Sequence, residues 1–296
     1  GPAARRAGGA PGLPRRGAAP PGARGTPAAR AGAVAGADVG VGGAPPRGSR
    51  EPPAAAGPTT AAGVPVVSLA KGFEQGTRLR MTQVAAEVLP GHPVGVLTGP
   101  NLAKEILDGQ AAATVVACSD AAVAEDLQGL LASARLRVYT NDDIIGCEIG
   151  GAVKNVIALA AGMAEGLGSG DNARAALITR GLAELTRLGQ ALGGDPRTLS
   201  GLAGLGDVLV TCMSPQSRNR WVGEQVGAGR PPAEVLAGMD QVAEGVRTAG
   251  VVCEIAADAG IEVPIAEGVR AVIDGGRPPV EVWASLMARR TRPEVD

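Results

Sequence analysis

Residues 149–164 read IGGAVKNVIALAAGMA and combine a long apolar helical pattern with two adjacent polar side chains, Lys154 and Asn155. Full burial of a lysine lowers its pKa towards neutral pH, where the amine can accept and return a proton. The alternative is a lysine whose amine reaches solvent at the edge of the helix. The adjacent Asn155 makes that alternative less favourable, because two polar groups then interrupt one apolar helix. Lys154 is therefore the candidate catalytic residue.

The chain downstream of this stretch is predicted to be helical. Apolar residues recur with helical spacing, and Gly, Pro and Asp/Asn residues separate the segments. The predicted helices lie at about 142–165, 172–192, 218–227, 232–238, 245–259, 263–274 and 279–290. Residues 142–296 are thus predicted to form a helical domain that carries substrate-binding and catalytic residues.

The chain upstream alternates between strand and helix patterns. Strands are predicted at 64–69 (VPVVSL), 94–97, 112–117 and 136–140, with helices at 80–89, 101–107 and 120–131. This alternation is typical of an open α/β sheet with parallel strands. Residues 63–141 are therefore predicted to form an incomplete dinucleotide-binding domain with a partial Rossmann-like parallel sheet.

The first sixty residues have an unusual composition, since fifty of them are Gly, Ala, Pro or Arg. Such a segment buries too little apolar surface to offset its conformational entropy, so residues 1–62 are predicted to be a disordered tail. A flexible tail and a basic arm for acidic partners are two functional interpretations. A GC-rich gene read out of frame gives the same composition. A frameshifted or truncated gene model is therefore our hypothesis, and it would leave this literal chain inactive.

Charge and cysteine usage exclude several classes of function. Residues 1–60 carry a net charge of +6, which leaves −7 on the remainder of a chain whose net charge is −1. A mildly acidic body argues against nucleic-acid binding. The longest strongly apolar run, 156–164, is too short to span a bilayer. The four cysteines form no C-x-x-C pair and His92 is the only histidine, so no metal site is expected and a reduced, cytoplasmic setting fits.

Two short motifs follow predicted strands, where open α/β sheets bind ligands. In SLAKG (68–72), Lys71 could meet an anionic substrate, although an exposed loop lysine explains the pattern equally well. In TGPN (98–101), Asn101 can cap a helix whose free N–H groups suit an anion. A plain turn with a helix cap is the simpler interpretation of TGPN taken alone.

Two further motifs lie among the predicted helices, GLAGLGD (201–207) and SRN (217–219). The first resembles a glycine-rich phosphate loop, but it follows no strand and is not a dinucleotide fingerprint. Asp207 is instead a candidate partner for Lys154, and Arg218 is a natural phosphate ligand. Helix capping by Asp207 and Ser217 is an equally supported alternative.

Together, these segments resemble the bacterial NAD(P)-dependent glycerol-3-phosphate dehydrogenases. The matching stretches are VVSLAKG (66–72), GVLTGPNLAKEI (95–106), GAVKNVIALAAGMAEGLGSGDNARAALITRGLAEL (151–185), GLAGLGDVLVTCMSPQSRNRWVG (201–223) and VAEGVRTA (242–249). The resemblance implies a Rossmann-like domain followed by a helical domain like the C-terminal domain of 6-phosphogluconate dehydrogenase. It also implies reversible hydride transfer between sn-glycerol 3-phosphate and dihydroxyacetone phosphate, with NAD or NADP as cofactor. A role in phospholipid synthesis, a cytoplasmic location and a homodimer are further expectations.

The resemblance also assigns roles to residues of this chain. Lys154 resembles the general acid and base of the family. The implied substrate ligands are Lys71, Gly99, Asn101, Lys154, Asp207, Ser217, Arg218 and Asn219. The implied cofactor contacts are Lys71, Ala103, Arg218, Val242 and Glu244. Asn101 departs from the family, which usually carries Ser or Thr at that position.

A larger departure concerns the G-x-G-x-x-G/A turn with which the family binds the pyrophosphate, because this chain has no such turn after a strand. We therefore expect weak cofactor binding, an unprotected edge on the strand at 64–69, and no sequence indication of NAD against NADP. Two alternatives remain open. One is a related dehydrogenase for another 2-hydroxy phosphate or a β-hydroxyacid. The other is a non-catalytic helical dimerisation module, in which Lys154 and Asp207 would face solvent or lie apart.

Overall fold

The computed structural model of the chain describes residues 40–42, 63–239, 243–290 and 293. Its sheet has five strands that lie side by side in chain order. They are β1 (Gly40–Gly42), β2 (Val66–Ser68), β3 (Val94–Thr98), β4 (Ala112–Cys118) and β5 (Leu136–Asn141). Three helices accompany the sheet: α1 (Met81–Val88), α2 (Ala103–Leu107) and α3 (Ala121–Leu131). The predicted α/β half of the chain is confirmed.

The β1 strand lies inside the segment that was predicted to be disordered. It pairs with β2 in parallel, with Gly40 opposite Val66 and Gly42 opposite Ser68. The prediction of an unprotected edge on β2 is therefore wrong, because β1 supplies that edge with backbone partners. The other residues of the predicted tail lie outside the described part of the chain.

The sheet is mixed, and this corrects the prediction of a parallel sheet. The β1–β2, β2–β3 and β4–β5 pairs are parallel, but β3 and β4 are antiparallel, with Thr98 opposite Val115. A parallel crossover usually carries a helix long enough to return along the sheet. The β3–β4 connection contains only the five-residue α2, and the chain turns back beside β3 instead.

The second half of the described chain is helical, as predicted. Its helices are α4 (Ile144–Gly166), α5 (Asp171–Ala191), α6 (Pro196–Ser200), α7 (Asp207–Met213), α8 (Arg218–Gly227), α9 (Pro232–Ala237), α10 (Glu244–Ala259), α11 (Pro264–Ile273) and α12 (Pro279–Met287). A π-helical turn at Leu202–Gly206 separates α6 from α7. The segment from α6 to α7 was not predicted as helix, because three glycines at 201, 204 and 206 interrupt its apolar spacing.

The α4 helix is the centre of this domain. Every residue from Gly146 to Ala164 is buried, and α5, α7, α8, α10 and α11 pack around the helix. By length and composition α4 could span a membrane, but its most apolar stretch is 89% buried among the other elements. A helix that is apolar on all sides is typical of a protein core, and α4 has the burial of such a core helix.

The α4 and α8 helices touch through their main chains. A Cβ atom at Gly162 of α4 would overlap the carbonyl oxygen of Arg220, and one at Gly223 of α8 would overlap the carbonyl oxygen of Leu159. Gly166 and Gly227 extend the same contact by one turn on each helix. Only glycine allows this approach, and it brings the first turn of α8 against the middle of α4.

Candidate active site

The candidate site lies where the ends of β2 and β3 meet the helical domain. Lys71 follows β2 and Gly99 follows β3, while Lys154 projects from the middle of α4. Asp207 is the first residue of α7 and comes directly after the π-helical turn. Such turns are frequent at functional sites. The turn at Leu202–Gly206 places the Asp207 carboxylate where the sheet meets the helical domain.

Asp207 bonds two lysines at once. Its Oδ2 accepts from Lys71 Nζ at 2.5 Å, and its Oδ1 accepts from Lys154 Nζ. The Asp207 side chain is 1% exposed. A carboxylate at that depth needs paired charges. The expected pairing of Asp207 with Lys154 is found, and Lys71 joins it. Asp207 does not cap a helix, because the residue at the N-cap of α7 is Gly206, which has no side chain.

The amine of Lys154 is enclosed, and the residue is 8% exposed. It donates a second hydrogen bond to Thr211 Oγ1 at 2.9 Å. Burial and, to a smaller extent, the charge of Lys71 lower the pKa of Lys154 to about 8, although Asp207 opposes both effects. The alternative of an amine at the solvent-exposed helix edge is wrong. A group with this pKa can both accept and donate a proton near neutral pH.

Thr211 orients the Lys154–Asp207 pair. Its hydroxyl donates to the carbonyl oxygen of Asp207 at 2.6 Å, one turn earlier in α7. A hydroxyl has one proton, so Thr211 Oγ1 can only accept from Lys154. Sequence reasoning missed this residue. Its spacing of four from Asp207 is the available signal, because residues at that spacing share a helix face.

All three protons of the Lys71 ammonium are used. Besides Asp207, Lys71 Nζ donates to Asn101 Oδ1 at 3.2 Å and to the carbonyl oxygen of Gly99 at 3.3 Å. Gly99 has a φ of 117°, which favours glycine. The exposed-loop interpretation of Lys71 is wrong. An anion that binds this ammonium must replace at least one of its three acceptors.

Asn101 does not act as the predicted helix cap. The α2 helix begins at Ala103 with Leu102 at its N-cap, and no side chain caps it. The Asn101 amide instead accepts from Lys71 through Oδ1 and donates to Thr114 Oγ1 through Nδ2 at 3.1 Å. Thr114 is a second residue of the site region that sequence reasoning did not identify.

The SRN motif begins α8, and its three side chains behave differently. Ser217 Oγ accepts from the Arg220 N–H at 3.2 Å, so Ser217 is the helix cap that the alternative interpretation predicted. Arg218 is exposed, and its guanidinium bonds to no described residue. Asn219 is buried and donates to Asn155 Oδ1 at 2.9 Å. Among the described residues, Arg218 thus has the side chain of this motif that is available to a ligand.

Asn155 and Glu244 extend the site towards α10. Asn155 Nδ2 donates to Glu244 Oε2 at 3.2 Å. Burial raises the pKa of Glu244, and the positive charges of Arg218, Lys154 and Lys71 oppose that rise in this order. Because these cations act on Glu244, the four side chains lie in one electrostatic environment. This arrangement contradicts the dimerisation-module alternative, which required Lys154 and Asp207 to be exposed or apart.

The remaining predicted cofactor contacts are Ala103 and Val242. Ala103 is exposed at the first residue of α2. Val242 lies outside the described residues. Within residues 63–239 and 243–290, Thr98 Oγ1 is the buried side-chain oxygen that lacks a hydrogen-bond partner. A Cβ at Gly151 would contact both this oxygen and the Lys71 stem. Such an orphaned hydroxyl fits a polar ligand group beside Lys71.

Two family models match the chain. The model of the NAD-dependent glycerol-3-phosphate dehydrogenase C-terminus matches residues 143–284. The model of the N-terminus of the same family matches residues 28–124. The second match begins upstream of β1 and therefore includes the strand that pairs with β2.

Curated relatives carry the corresponding name. Glycerol-3-phosphate dehydrogenase [NAD(P)+] 2 of Sphingopyxis alaskensis is 55% identical over 224 residues, which cover 76% of this chain and 67% of that protein. Glycerol-3-phosphate dehydrogenase [NAD(P)+] of Mycobacterium avium is 55% identical and covers 76% and 66%. The Thermobifida fusca protein of that name is 56% identical and covers 78% and 70%. The chain therefore spans about two thirds of the length of the curated relatives it matches.

Solved structures agree with this similarity. The glycerol-3-phosphate dehydrogenase of Coxiella burnetii matches with a TM-score of 0.83 and 36% identity, covering 88% of this chain and 79% of that chain. The Dunaliella salina enzyme structure matches with a TM-score of 0.78 and 25% identity, covering 89% and 48%. The chain is therefore similar in fold to these proteins.

Proposed function

The chain belongs to the NAD-dependent glycerol-3-phosphate dehydrogenase family, and on that premise we propose that it interconverts sn-glycerol 3-phosphate and dihydroxyacetone phosphate with NAD or NADP. The observation that supports this most directly is the enclosed amine of Lys154, whose pKa of about 8 lies near neutral pH. Asp207 and Thr211 fix the position of that amine. An acid–base residue of this kind suits a reaction that moves a proton on and off an alcohol oxygen.

In this proposal Lys154 is the proton carrier. During oxidation its neutral amine takes the proton of the secondary hydroxyl group, and during reduction its ammonium returns that proton to the carbonyl oxygen. The ammonium also stabilises negative charge that develops on this oxygen. The nicotinamide, when bound, supplies the hydride acceptor or donor. Positioned acid–base groups contribute roughly 10²–10⁴-fold to rates.

The substrate phosphate meets the cations of the cleft. Lys71 and Arg218 are its charged ligands. The assignment of Arg218 is supported by its exposed guanidinium, which bonds to no described residue. The surrounding substrate pocket consists of Gly99, Asn101, Lys154, Asp207, Ser217 and Asn219. Ser217 and Asn219 contribute mainly by holding α8 in place, since their side chains already bond Arg220 and Asn155.

The cofactor is proposed to contact Lys71, Ala103, Arg218, Val242 and Glu244. The orphaned Thr98 hydroxyl in this region is consistent with a polar group of a bound ligand. The reduced cysteines, of which Cys118, Cys147 and Cys212 are buried, are consistent with a cytoplasmic enzyme. A homodimer and a role in supplying glycerol 3-phosphate for phospholipid synthesis complete the proposal.

The proposal is tested with the 296-residue chain and two single variants. Oxidation of NADH that depends on dihydroxyacetone phosphate is measured for the unchanged chain, Lys154→Ala and Arg180→Ala. Lys154→Ala should lower turnover by roughly 10²–10⁴-fold. Arg180 is exposed on α5, and its variant should match the unchanged chain. Near-normal turnover in Lys154→Ala refutes the role of Lys154. An inactive chain that also fails to bind glycerol 3-phosphate refutes the function.

A further inference from the structure

We propose that Thr114, in the middle of β4, is a positioning residue that fixes the ammonium of Lys71 through the side-chain amide of Asn101. The inference deepens the proposed function and rests on it, because Lys71 matters as a ligand of the substrate phosphate. Thr114 is fully buried, so it does not line the cleft. Its side chain bonds Asn101 and the Thr98 carbonyl oxygen and makes no hydrogen bond to Lys71. The side-chain route from Thr114 to Lys71 runs through Asn101, which bonds both residues.

The hydrogen bonds of Thr114 have a definite direction. Thr114 Oγ1 donates its one proton to the carbonyl oxygen of Thr98 at 2.8 Å. The same oxygen is 3.1 Å from Asn101 Nδ2. Because the proton is already used, Thr114 Oγ1 can only accept in this second contact. It therefore selects the N–H end of the Asn101 amide.

This selection determines what Lys71 meets. An asparagine amide can be placed in two orientations that differ by exchanging Oδ1 and Nδ2. With Nδ2 on Thr114, Oδ1 faces Lys71 Nζ at 3.2 Å. The opposite orientation would place an amide N–H against an ammonium, which carries donors and no acceptor. Thr114, which bonds Nδ2, and Lys71, which bonds Oδ1, therefore both favour the same orientation of the Asn101 amide.

The antiparallel pairing of β3 and β4 makes this chain of bonds possible. Thr98 lies opposite Val115, so Thr114 lies beside the turn that leads from β3 to Asn101. The resulting path runs from Lys71 through Asn101 and Thr114 to the main chain of Thr98. It ends on the main chain of β3, within the sheet.

The hydrogen bonds of Lys71 to Asn101 and Gly99 matter when substrate binds. Asp207 is the charged partner of Lys71, and an incoming phosphate competes with it for the ammonium. Asn101 Oδ1 and the Gly99 carbonyl oxygen are neutral acceptors that do not compete as strongly for charge. They can keep Nζ at the cleft while Asp207 is replaced by phosphate. Thr114 therefore preorganises Lys71 for the exchange.

The first test is a double-mutant cycle on binding of sn-glycerol 3-phosphate by the full chain, measured by calorimetry. Thr114→Val removes the hydroxyl and keeps the shape, and it should weaken binding about fivefold, the effect of one ordinary hydrogen bond. Asn101→Ala should weaken binding at least as much. Because Thr114 acts through Asn101, adding Thr114→Val to Asn101→Ala should have no further effect. Effects that multiply in the double variant overturn the proposal.

The second test reads Lys71 directly and does not depend on activity or on binding. The chain has three lysines, Lys71, Lys104 and Lys154, so ¹³Cε-lysine labelling gives three assignable NMR signals. Thr114→Val should shift the Lys71 signal and leave that of the exposed Lys104 unchanged, and Thr114→Ser should restore it. A folded Thr114→Val with an unchanged Lys71 signal overturns the proposal. If the valine variant does not fold, Thr114→Cys is read in the same way.

A matched control is Thr186→Val. Within the described part of the chain, the Thr186 hydroxyl bonds the carbonyl oxygen of Leu182 in its own helix, α5, and no other group. This variant should leave both glycerol 3-phosphate binding and the Lys71 signal unchanged. The two tests also separate the inference from the proposed function. If the unchanged chain does not bind glycerol 3-phosphate, the proposed function fails, while the NMR comparison still decides whether Thr114 positions Lys71.

Discussion

Lys71 and Lys154, which come from different domains, are held by opposite oxygens of one buried carboxylate. Lys71 bonds Oδ2 of Asp207 and Lys154 bonds Oδ1. The carboxylate lies between a lysine suited to binding phosphate and a lysine suited to moving a proton. Its charge balances only one of the two cations, so the cluster is prepared for a second negative charge, which a phosphorylated substrate brings.

Removal of that charge should destabilise the fold. Asp207→Asn leaves two cations with a neutral partner, and breaking a buried pair of this kind costs roughly 3–5 kcal/mol. The free energy of unfolding in urea measures the loss. Asp258→Asn is the control, because Asp258 is 67% exposed and pairs with Arg78 at the surface, where an ion pair contributes about 0–1 kcal/mol. Equal effects of the two substitutions would contradict the shared role of Asp207.

The pKa of Lys154 predicts opposite pH profiles for the two directions of the reaction. Burial lowers this pKa to about 8. Oxidation needs the neutral amine, so kcat for glycerol 3-phosphate should rise as the pH increases through about 8. Reduction needs the ammonium, so kcat for dihydroxyacetone phosphate should fall through the same range. Initial rates at saturating substrate measure both profiles. A flat profile in both directions would remove Lys154 from the proton transfer.

Glu184, on α5, predicts a pH dependence of stability. It accepts from the N–H of Ile265 at 2.8 Å and that of Ala266 at 3.4 Å, at the start of α11. Burial raises its pKa from 4.5 to about 7, although these bonds oppose the rise. The folded state therefore binds more protons than the unfolded state between these values. The resulting stabilisation is complete below about pH 4.5 and is lost as the pH rises through about 7.

Glu184→Gln isolates this contribution. The variant should lose the part of the pH dependence that belongs to Glu184, which amounts to roughly 3 kcal/mol at most. Free energies of unfolding at pH 5 and pH 8 are compared for the two proteins, so that other titrating groups cancel. A variant whose stability changes between these pH values as much as that of the unchanged chain shows that Glu184 is not the group responsible.

The main-chain contact between α4 and α8 predicts intolerance of even a methyl group. Gly223→Ala would overlap the carbonyl oxygen of Leu159, and overpacking of this kind costs roughly 1–3 kcal/mol. Gly250→Ala on α10 is the matched control, since its Cβ would meet no atom within 4 Å. There alanine should gain up to about 1 kcal/mol from helix propensity. Thermal unfolding of both variants measures the contrast, which a destabilised Gly250→Ala would contradict.

Cofactor binding provides a fifth prediction. The sequence contains no G-x-G-x-x-G/A turn after a strand, and this turn is what holds the pyrophosphate in Rossmann folds. The 296-residue chain should therefore bind NADH only weakly, while glycerol 3-phosphate still binds the lysine cluster. Titration of the chain with NADH, followed by fluorescence, measures the affinity. Micromolar binding would show that other residues replace the turn.

Local patterns were sufficient to predict most elements of the fold. The α8 helix has the predicted bounds of 218–227. The helix predicted at 120–131 is α3, and its N-cap residue Asp120 accepts from two backbone N–H groups. Apolar periodicity identified α4, because the residues that make a helix apolar are close together in the sequence. The same reasoning identified Lys154, whose unusual surroundings are its own sequence neighbours.

The errors concern relationships between residues that are distant in the chain. The antiparallel β3–β4 pair could not be read from either strand alone, and β1 was hidden in a Gly- and Pro-rich segment. The assignment of Asn101 as a helix cap was wrong, because its amide is recruited by Lys71, thirty residues earlier, and by Thr114. Side chains that orient other side chains leave no local pattern when their partners come from other elements.

The glycines of α4 and α8 have a consequence for how the pocket can change. Since peptide groups touch peptide groups along this contact, main-chain atoms fix the distance from Lys154 to the first turn of α8. Exchanging other side chains cannot increase that distance. A descendant of this protein that accepted a longer substrate would have to bend or slide a whole helix, whereas changes in the β3–α2 loop could reshape the opposite wall one residue at a time.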